Sequence, residues 1–346
     1  MKRQVKVGKV LIGGDAPVSV QSMLSVKTSD VRAALPQIQT LEKAGCDIVR
    51  LAVRDERDAA AFSDLKKETS VPLVADIHFD YRLAIAAAKA GADKIRINPG
   101  NIGGDENVRI LADFLGERNV PIRIGVNGGS LDKKFSGLKM ADAMAESAMY
   151  HASLLEKFGF KDIVISAKSS SVRDMIAAYE KLDEICDYPL HLGVTEAGTL
   201  RRSLVKSSVG IGSLLLKGIG DTIRVSVTGD PTEEAVAANY LLKSLGLRDG
   251  VDVVSCPTCG RTEIEVEKLS EEVEKLAAGY DKNLTVAVMG CVVNGIGEGK
   301  HADFGVAGGK DKSVIFRNGE KYKVVSNDEI LSELEKLFRE YDGKQF

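Results

Sequence analysis

No run of about 18 apolar residues occurs anywhere in the 346-residue sequence, so no transmembrane helix is expected. The opening stretch MKRQVKVGKVLIGGD is basic but lacks the apolar core of a secretory leader. The chain is therefore expected in the cytoplasm. Net charge is only −3 with both signs interspersed, which argues against a general nucleic-acid or membrane-surface binder. Cysteine is sparse. Five of them in a reducing compartment point to metal or redox chemistry, not disulfides. No Walker A motif is present, no G-x-G-x-x-G follows a strand, and no C-x₃-C-x₂-C marks a radical enzyme. Electrons for a redox step are thus expected from a carrier protein, not from a bound nicotinamide.

What is present is a structural repeat. Short β-branched runs begin at Val18, Asp47, Pro72, Lys94, Pro121, Asp162, Pro189 and Thr222, and a helical pattern follows each, as in RLAIAAAKAGA from Arg82. Strands alternating with helices imply a parallel sheet. Eight units in about 230 residues fit a (β/α)₈ barrel, with an open doubly wound sheet as the alternative. VKVGKVLIGG reads as a hairpin closing the barrel floor. The pattern changes at Gly246, which places a barrel domain over 1–246 and a smaller α+β domain over 247–346. There CPTCGR precedes a helix from about Glu263 to Ala278, the strand LTVAVMG and the Gly-rich loop NGIGEGKHADFG. The hairpin SVIFRNGEKYKVV carries Asn318-Gly319, suited to a type I′ turn. A capping box at Ser326 and Glu329 opens the last helix.

In such a barrel the active site lies at the C-terminal strand ends. Along the strands in order, those ends carry Arg50, then Asp76 and His78, Arg96 and Asn98, Arg123 and Asn127, Lys168, Glu196, and Arg224 and Ser226. Spacings of two or four put both members of a pair on one face, while Ile95, Ile97, Ile122 and Ile124 take the other. One strand-end arginine is ordinarily a surface salt bridge. Four arginines and a lysine at corresponding positions repel one another unless an anion sits among them, and guanidinium forks suit phosphate oxygens. Asp76, Glu196 and His78 are candidates for orienting hydroxyls or moving protons. Lys168 admits a rival reading as a Schiff-base lysine.

Cys256 and Cys259 form C-x₂-C, and Cys291 follows without a second C-x₂-C. Three thiolates and one different ligand suit a 4Fe–4S cluster with a distinct iron, and structural zinc stays open as the alternative. Glu298, His301 and Asp303 are the candidate fourth ligands. Cys46 and Cys186 adjoin apolar segments and read as inert core thiols.

CPTCGR at Cys256, MGCVVNGIGE at Met289, VQSM at Val20, DIHFDYRLA at Asp76, IRINPGN at Ile95 and IRIGVNGGSL at Ile122 together resemble the 4-hydroxy-3-methylbut-2-enyl diphosphate synthases in their compact bacterial form. The resemblance spans nearly the whole chain. Ile296 departs from the usual Pro of that family, and Gly299 from its frequent Ala. The resemblance implies reductive ring opening of a cyclic diphosphate, 2-C-methyl-D-erythritol 2,4-cyclodiphosphate. It implies a 4Fe–4S cluster on Cys256, Cys259, Cys291 and Glu298, reduced by flavodoxin or ferredoxin, in a homodimer. It also implies diphosphate binding by Arg50, Arg96, Asn98, Arg123, Asn127, Lys168, Arg224 and Ser226. Asn294, Asp76 and His78 would lie near the substrate, and Glu196 would act on its hydroxyls or donate a proton.

Overall fold

A computed structural model describes residues 2–135, 137–278, 280 and 282–341, without the side chains of Asn294, Ile296 and Glu298. The chain divides into two compact units, Met1–Leu245 and Gly246–Phe346.

The first unit opens with an antiparallel hairpin, β1 (Val5–Val7) and β2 (Val10–Ile12). Eight parallel strands follow: β3 (Ser19–Met23), β4 (Ile48–Ala52), β5 (Leu73–Asp76), β6 (Lys94–Arg96), β7 (Ile122–Asn127), β8 (Ile163–Lys168), β9 (His191–Leu192) and β10 (Thr222–Ile223). One helix follows each strand: α1 (Val31–Lys43), α2 (Glu56–Glu68), α3 (Tyr81–Lys89), α4 (Asp105–Gly116), α5 (Met140–Glu156), α6 (Val172–Ile185), α7 (Leu200–Leu215) and α8 (Pro231–Ser244). Side-chain oxygens cap several helix starts. Asp55 accepts from the Asp58 amide, and Asp230, ahead of Pro231 in the first turn, accepts from the Thr232 amide. The strand order is β8-β7-β6-β5-β4-β3-β10-β9, and a parallel bridge between Ile165 and Leu190 joins the two ends. A sheet whose ends meet is a closed barrel, so the (β/α)₈ expectation holds and the doubly wound alternative falls.

Strand alternation sorts the side chains. Ile95, Ile97, Ile122 and Ile124 enter the apolar core shared with the helices. The inward face is polar at most positions above the floor. The floor itself is apolar, because Val7 and Ile12 of the hairpin pack with Ile48 and Val74.

The second unit is a five-stranded sheet in chain order: β11 (Val251–Ser255), β12 (Leu284–Met289), β13 (Phe304–Ala307), β14 (Lys312–Arg317) and β15 (Glu320–Ser326). The first three strands are parallel and the later pairings antiparallel. α9 (Val266–Ala277) and α11 (Ile330–Glu340) bury Val273, Leu334 and Phe338 against Val286, Val288 and Phe304. Asn318 and Gly319 both have positive φ, 48° and 76°, as a type I′ turn requires. The capping box of Ser326 and Glu329 is formed.

Two expectations need correction. α9 starts at Val266, not near Glu263, because the Ile264 carbonyl, which a helix would offer to Lys268, accepts the Val266 N–H instead. The glycine-rich segment after Cys291 is not all loop but contains a short helix, α10 (Val292–Glu298). Gly295 within it and Gly299 at its C-terminal end serve packing and not turning. A Cβ on Gly295 would lie 2.7 Å from the Ala307 Cβ, and one on Gly299 would lie 2.4 Å from the Phe316 ring. Neither Gly297 nor Gly299 has positive φ.

Candidate active site

The inward residues at the C-terminal strand ends enclose a cavity of about 110 Å³. Of the residues singled out above, Arg50, Asp76, His78, Arg96, Arg123, Asn127, Lys168, Arg224 and Ser226 line it. Register explains the convergence: Asp76, Arg96 and Arg123 lie side by side on β5, β6 and β7, and Asn127 lies beside Lys168.

The charges do not balance. Arg50, Arg96, Arg123, Lys168 and Arg224 face only two carboxylates. Asp76, 5% exposed, lies 3.4 Å from Arg96 and 3.8 Å from Arg50. Burial by itself raises the Asp76 pKa, but Arg50, Arg96 and Arg123 together hold it below the usual carboxylate value. Glu234 of α8 takes Arg224 through two hydrogen bonds of 2.9 and 3.0 Å, and also accepts from Ser22 Oγ and the Val227 N–H. Arg123 and Lys168 have no carboxylate partner among the described residues. Burial first, then the neighbouring cations, push both well below their usual pKa. Arg50 is lowered to about 10, mainly by burial. Buried like charges held together in this way favour entry of a multiply charged anion.

Sequence reasoning missed several residues that hold the cations in place. Ser166 Oγ accepts from Arg123 Nη1 at 2.6 Å. Gly125 and Gly193 face inward and make room. A Cβ on Gly125 would lie 2.4 Å from Arg96 Nε, and one on Gly193 would lie 2.7 Å from Lys168 Nζ. Glycine inside a strand is the signal that would have found both. Glu234 and Thr195 gave no such signal.

Three site candidates lie differently. Asn98 clamps the backbone: its amide donates to the Gly125 carbonyl at 3.0 Å and accepts from the Gly125 N–H at 2.8 Å. It faces a second cavity of about 530 Å³ that shares His78, Arg96 and Asn127 with the first. His78 accepts at Nδ1 from Arg96, which leaves its proton on Nε2. Glu196 is exposed, stands on the loop after β9 and does not line the cavity. Its φ of 52° is a conformation that costs a non-glycine residue roughly 1–2 kcal/mol.

In the second unit, Cys256 directly follows β11, and Cys291 lies two residues past the end of β12, its parallel neighbour. Cys256 Sγ accepts from the Gly290 N–H at 3.0 Å. Cys259 is exposed, and its thiol is held below the usual value first by the Arg261 N–H, then by Thr262 and the Arg261 charge. Cys46 differs: burial pushes it up to about 12. Cys186 is raised for the same reason. Among the described residues, no three His, Cys, Asp or Glu side chains converge as a single metal ion needs. Asn294 and Glu298 stand on α10, and their side chains lie outside the described positions. Asp303 is already engaged, pairing with the Thr285 backbone.

A barrel with a cationic pocket at its C-terminal mouth, followed by a unit bearing paired cysteine loops, defines an enzyme of the phosphorylated-metabolite barrel class. The chain belongs to the GcpE family. The GcpE TIM-barrel domain matches residues 2–239 and the GcpE protein C-terminal domain matches 252–340. The chain is 52% identical over 343 residues to the 4-hydroxy-3-methylbut-2-en-1-yl diphosphate synthase (flavodoxin) of Ruminiclostridium cellulolyticum, covering 98% of this chain and 97% of that one. It is 53% identical over 340 residues to the protein of the same name from Thermotoga maritima, covering 98% of each. Among solved structures, dihydropteroate synthase from Xanthomonas albilineans in complex with 7,8-dihydropteroate is similar with a TM-score of 0.51 and 15% identity, over 70% of this chain and 97% of that one. That likeness concerns the fold alone. No helix among the described residues is long and apolar enough to cross a membrane.

Proposed function

We propose that the protein opens the ring of 2-C-methyl-D-erythritol 2,4-cyclodiphosphate reductively, giving 4-hydroxy-3-methylbut-2-enyl diphosphate in non-mevalonate isoprenoid biosynthesis. The step takes up two electrons and two protons and releases one water. The observation that carries this reading is the surplus of buried cation at the barrel mouth, in a chain whose relatives are named for this diphosphate.

Residues 1–246 form the substrate domain and 247–346 the redox domain. Arg50, Arg96, Arg123, Lys168 and Arg224, with Asn127 and Ser226, hold the two phosphates and stabilise the phosphate oxygen on which charge develops as its C–O bond breaks. Asp76, kept ionised, orients Arg50 and Arg96. Asn98 sets the Gly125 backbone that receives Arg96. His78, carrying its proton on Nε2, and Glu196, on the loop after β9, serve the substrate hydroxyls and the proton supply.

Cys256, Cys259 and Cys291, with Glu298 as fourth ligand and Asn294 nearby, hold a 4Fe–4S cluster. The donor set fits: soft thiolates from the ends of adjacent strands, one of them receiving a backbone N–H, with Cys259 favoured as thiolate. A cluster spreads its cysteines over separate irons, so the sulfurs need not crowd around one point. When bound it supplies electrons one at a time from flavodoxin or ferredoxin. The active unit is a cytoplasmic homodimer in which the redox domain of one chain serves the barrel of its partner.

The test is an anaerobic assay of reconstituted protein with reduced flavodoxin and the cyclic diphosphate. Arg123→Ala should lower kcat/KM by at least tenfold, given about 1.5–3 kcal/mol for hydrogen bonds to a charged group. Mixing Arg123→Ala chains with Cys256→Ala chains should restore activity in mixed dimers. An unchanged kcat/KM in the Arg123 variant would place the anion site elsewhere, and no rescue despite subunit exchange would place each site within one chain.

A further inference from the structure

Below the cavity the barrel interior remains polar, where barrels of this kind are ordinarily filled by branched apolar side chains. Ser19 and Gln21 of β3, Lys94 of β6, His191 of β9 and Thr222 of β10 are each no more than 4% exposed, and none lines the cavity above. Thr222 lies in register with Ser19 on one side and His191 on the other. Lys94, Arg123 and Arg50 act electrostatically on one another and on His191, which places them around a common interior.

These side chains lack hydrogen-bond partners. Ser19 Oγ, both polar atoms of Gln21, Lys94 Nζ, both ring nitrogens of His191 and Thr222 Oγ1 are unpaired, as are Nε and Nη2 of Arg123 just above. Each buried donor left unmade costs about 1–3 kcal/mol, so a folded barrel with all of them empty-handed would not persist. The sign of the imbalance identifies the kind of partner they call for. The ammonium offers three protons, the Gln21 amide two, and the Arg123 guanidinium and the two hydroxyls offer more. Against these stand Gln21 Oε1, one nitrogen of neutral His191 and the oxygens of the two hydroxyls, fewer sites than the protons offered once Lys94 and Arg123 are counted. No carboxylate acts on Lys94, whose charged neighbours, Arg123 and Arg50, are both cations. The set is donor-rich, positive and closed from beneath by Val7, Ile12, Ile48 and Val74.

We propose that the barrel interior holds a small inorganic monoanion, bound by Lys94 and Arg123 and completed by the Gln21 amide and the hydroxyls of Ser19 and Thr222. Chloride carries a single negative charge and donates nothing, which suits a lining of donors. Without a companion, burial and the two arginines drive the Lys94 ammonium well below its usual pKa. The anion lets Lys94 stay charged and offsets the repulsion among Arg50, Arg123 and Lys168 while no substrate is bound. This inference is independent of the reaction proposed above.

Bromide tests it directly. Crystals of the protein soaked in sodium bromide should show an anomalous peak inside the barrel beside Lys94 Nζ. Peaks confined to the surface or to the upper pocket, or waters alone beside Lys94, would overturn the proposal. In solution, sodium chloride should raise the melting temperature by a few degrees over sodium gluconate at equal ionic strength, as binding to the folded state requires. Lys94→Met should abolish that difference, and an equal chloride effect in the variant would remove Lys94 from the site. If Lys94→Met does not fold, the bromide map of the unaltered protein decides alone.

Discussion

Alanine at Cys256, Cys259 or Cys291 is expected to remove bound iron, acid-labile sulfide and turnover together, whereas alanine at Cys46 or Cys186 leaves all three in place. The two groups differ physically. Cys46 is sealed in the barrel core, where burial disfavours its thiolate and its thiol donates to the Ile48 carbonyl. Cys256 and Cys291 sit one and two residues past the ends of parallel neighbours β11 and β12, so the sheet itself sets their spacing. Cys259 is fixed by the turn that follows it, in which Thr262 donates its N–H to the Cys259 carbonyl and accepts the Cys259 N–H on its hydroxyl. Iron and sulfide analysis of the five variants checks this. Full cluster retention in any of the first three would refute the ligand assignment.

The second large effect is expected at a residue that touches no substrate. Glu234→Ala should cost about 3–5 kcal/mol of stability, because it leaves the Arg224 guanidinium buried without its carboxylate. In a barrel of this size that is roughly a 10 °C fall in melting temperature. It also frees Ser22 and the Val227 N–H, which share the same carboxylate. Thermal melts of Glu234→Ala, Arg224→Met and the double variant separate the causes. The double variant should recover much of the loss, since no unpaired charge remains. If it is no more stable than Glu234→Ala, lost packing and not the orphaned charge is responsible.

The barrel was legible in the sequence because strand alternation leaves a two-residue signature, and an arginine between two isoleucines on β6 and β7 shows which face is which. The type I′ turn and the capping box were legible because each depends on a few adjacent residues. Glu234 was not, since its burial arises from packing α8 against β3, which no local pattern records. α10 was hidden by its glycines. They read as loop formers, yet Gly295 lets the helix lie against Ala307, and Gly299 just past its end lies against Phe316. Asn98 read as a phosphate ligand because it shares a face with Arg96, and nothing in the adjacent residues signalled that one of its N–H groups and its oxygen would also clamp Gly125. Lys94 begins a strand run and carried no sign that its ammonium would be sealed inside. The roles assigned to Glu298 and Asn294 rest on the resemblance, since their side chains lie outside the described positions.

The barrel is closed between β8 and β9 by an isolated bridge, Ile165 to Leu190, and by the Thr195 N–H on the Ser169 carbonyl further along, and the strands on either side of that join are unequal in length. A ring opens where its backbone ladder is shortest. The join adjoins Lys168 and Gly193, so transient parting there would admit solvent to the cationic interior from the side, without the mouth being uncovered. Amide protons along this seam should therefore trade for deuterium sooner than those of β4 to β7, and the pocket has one soft wall in an otherwise rigid hoop.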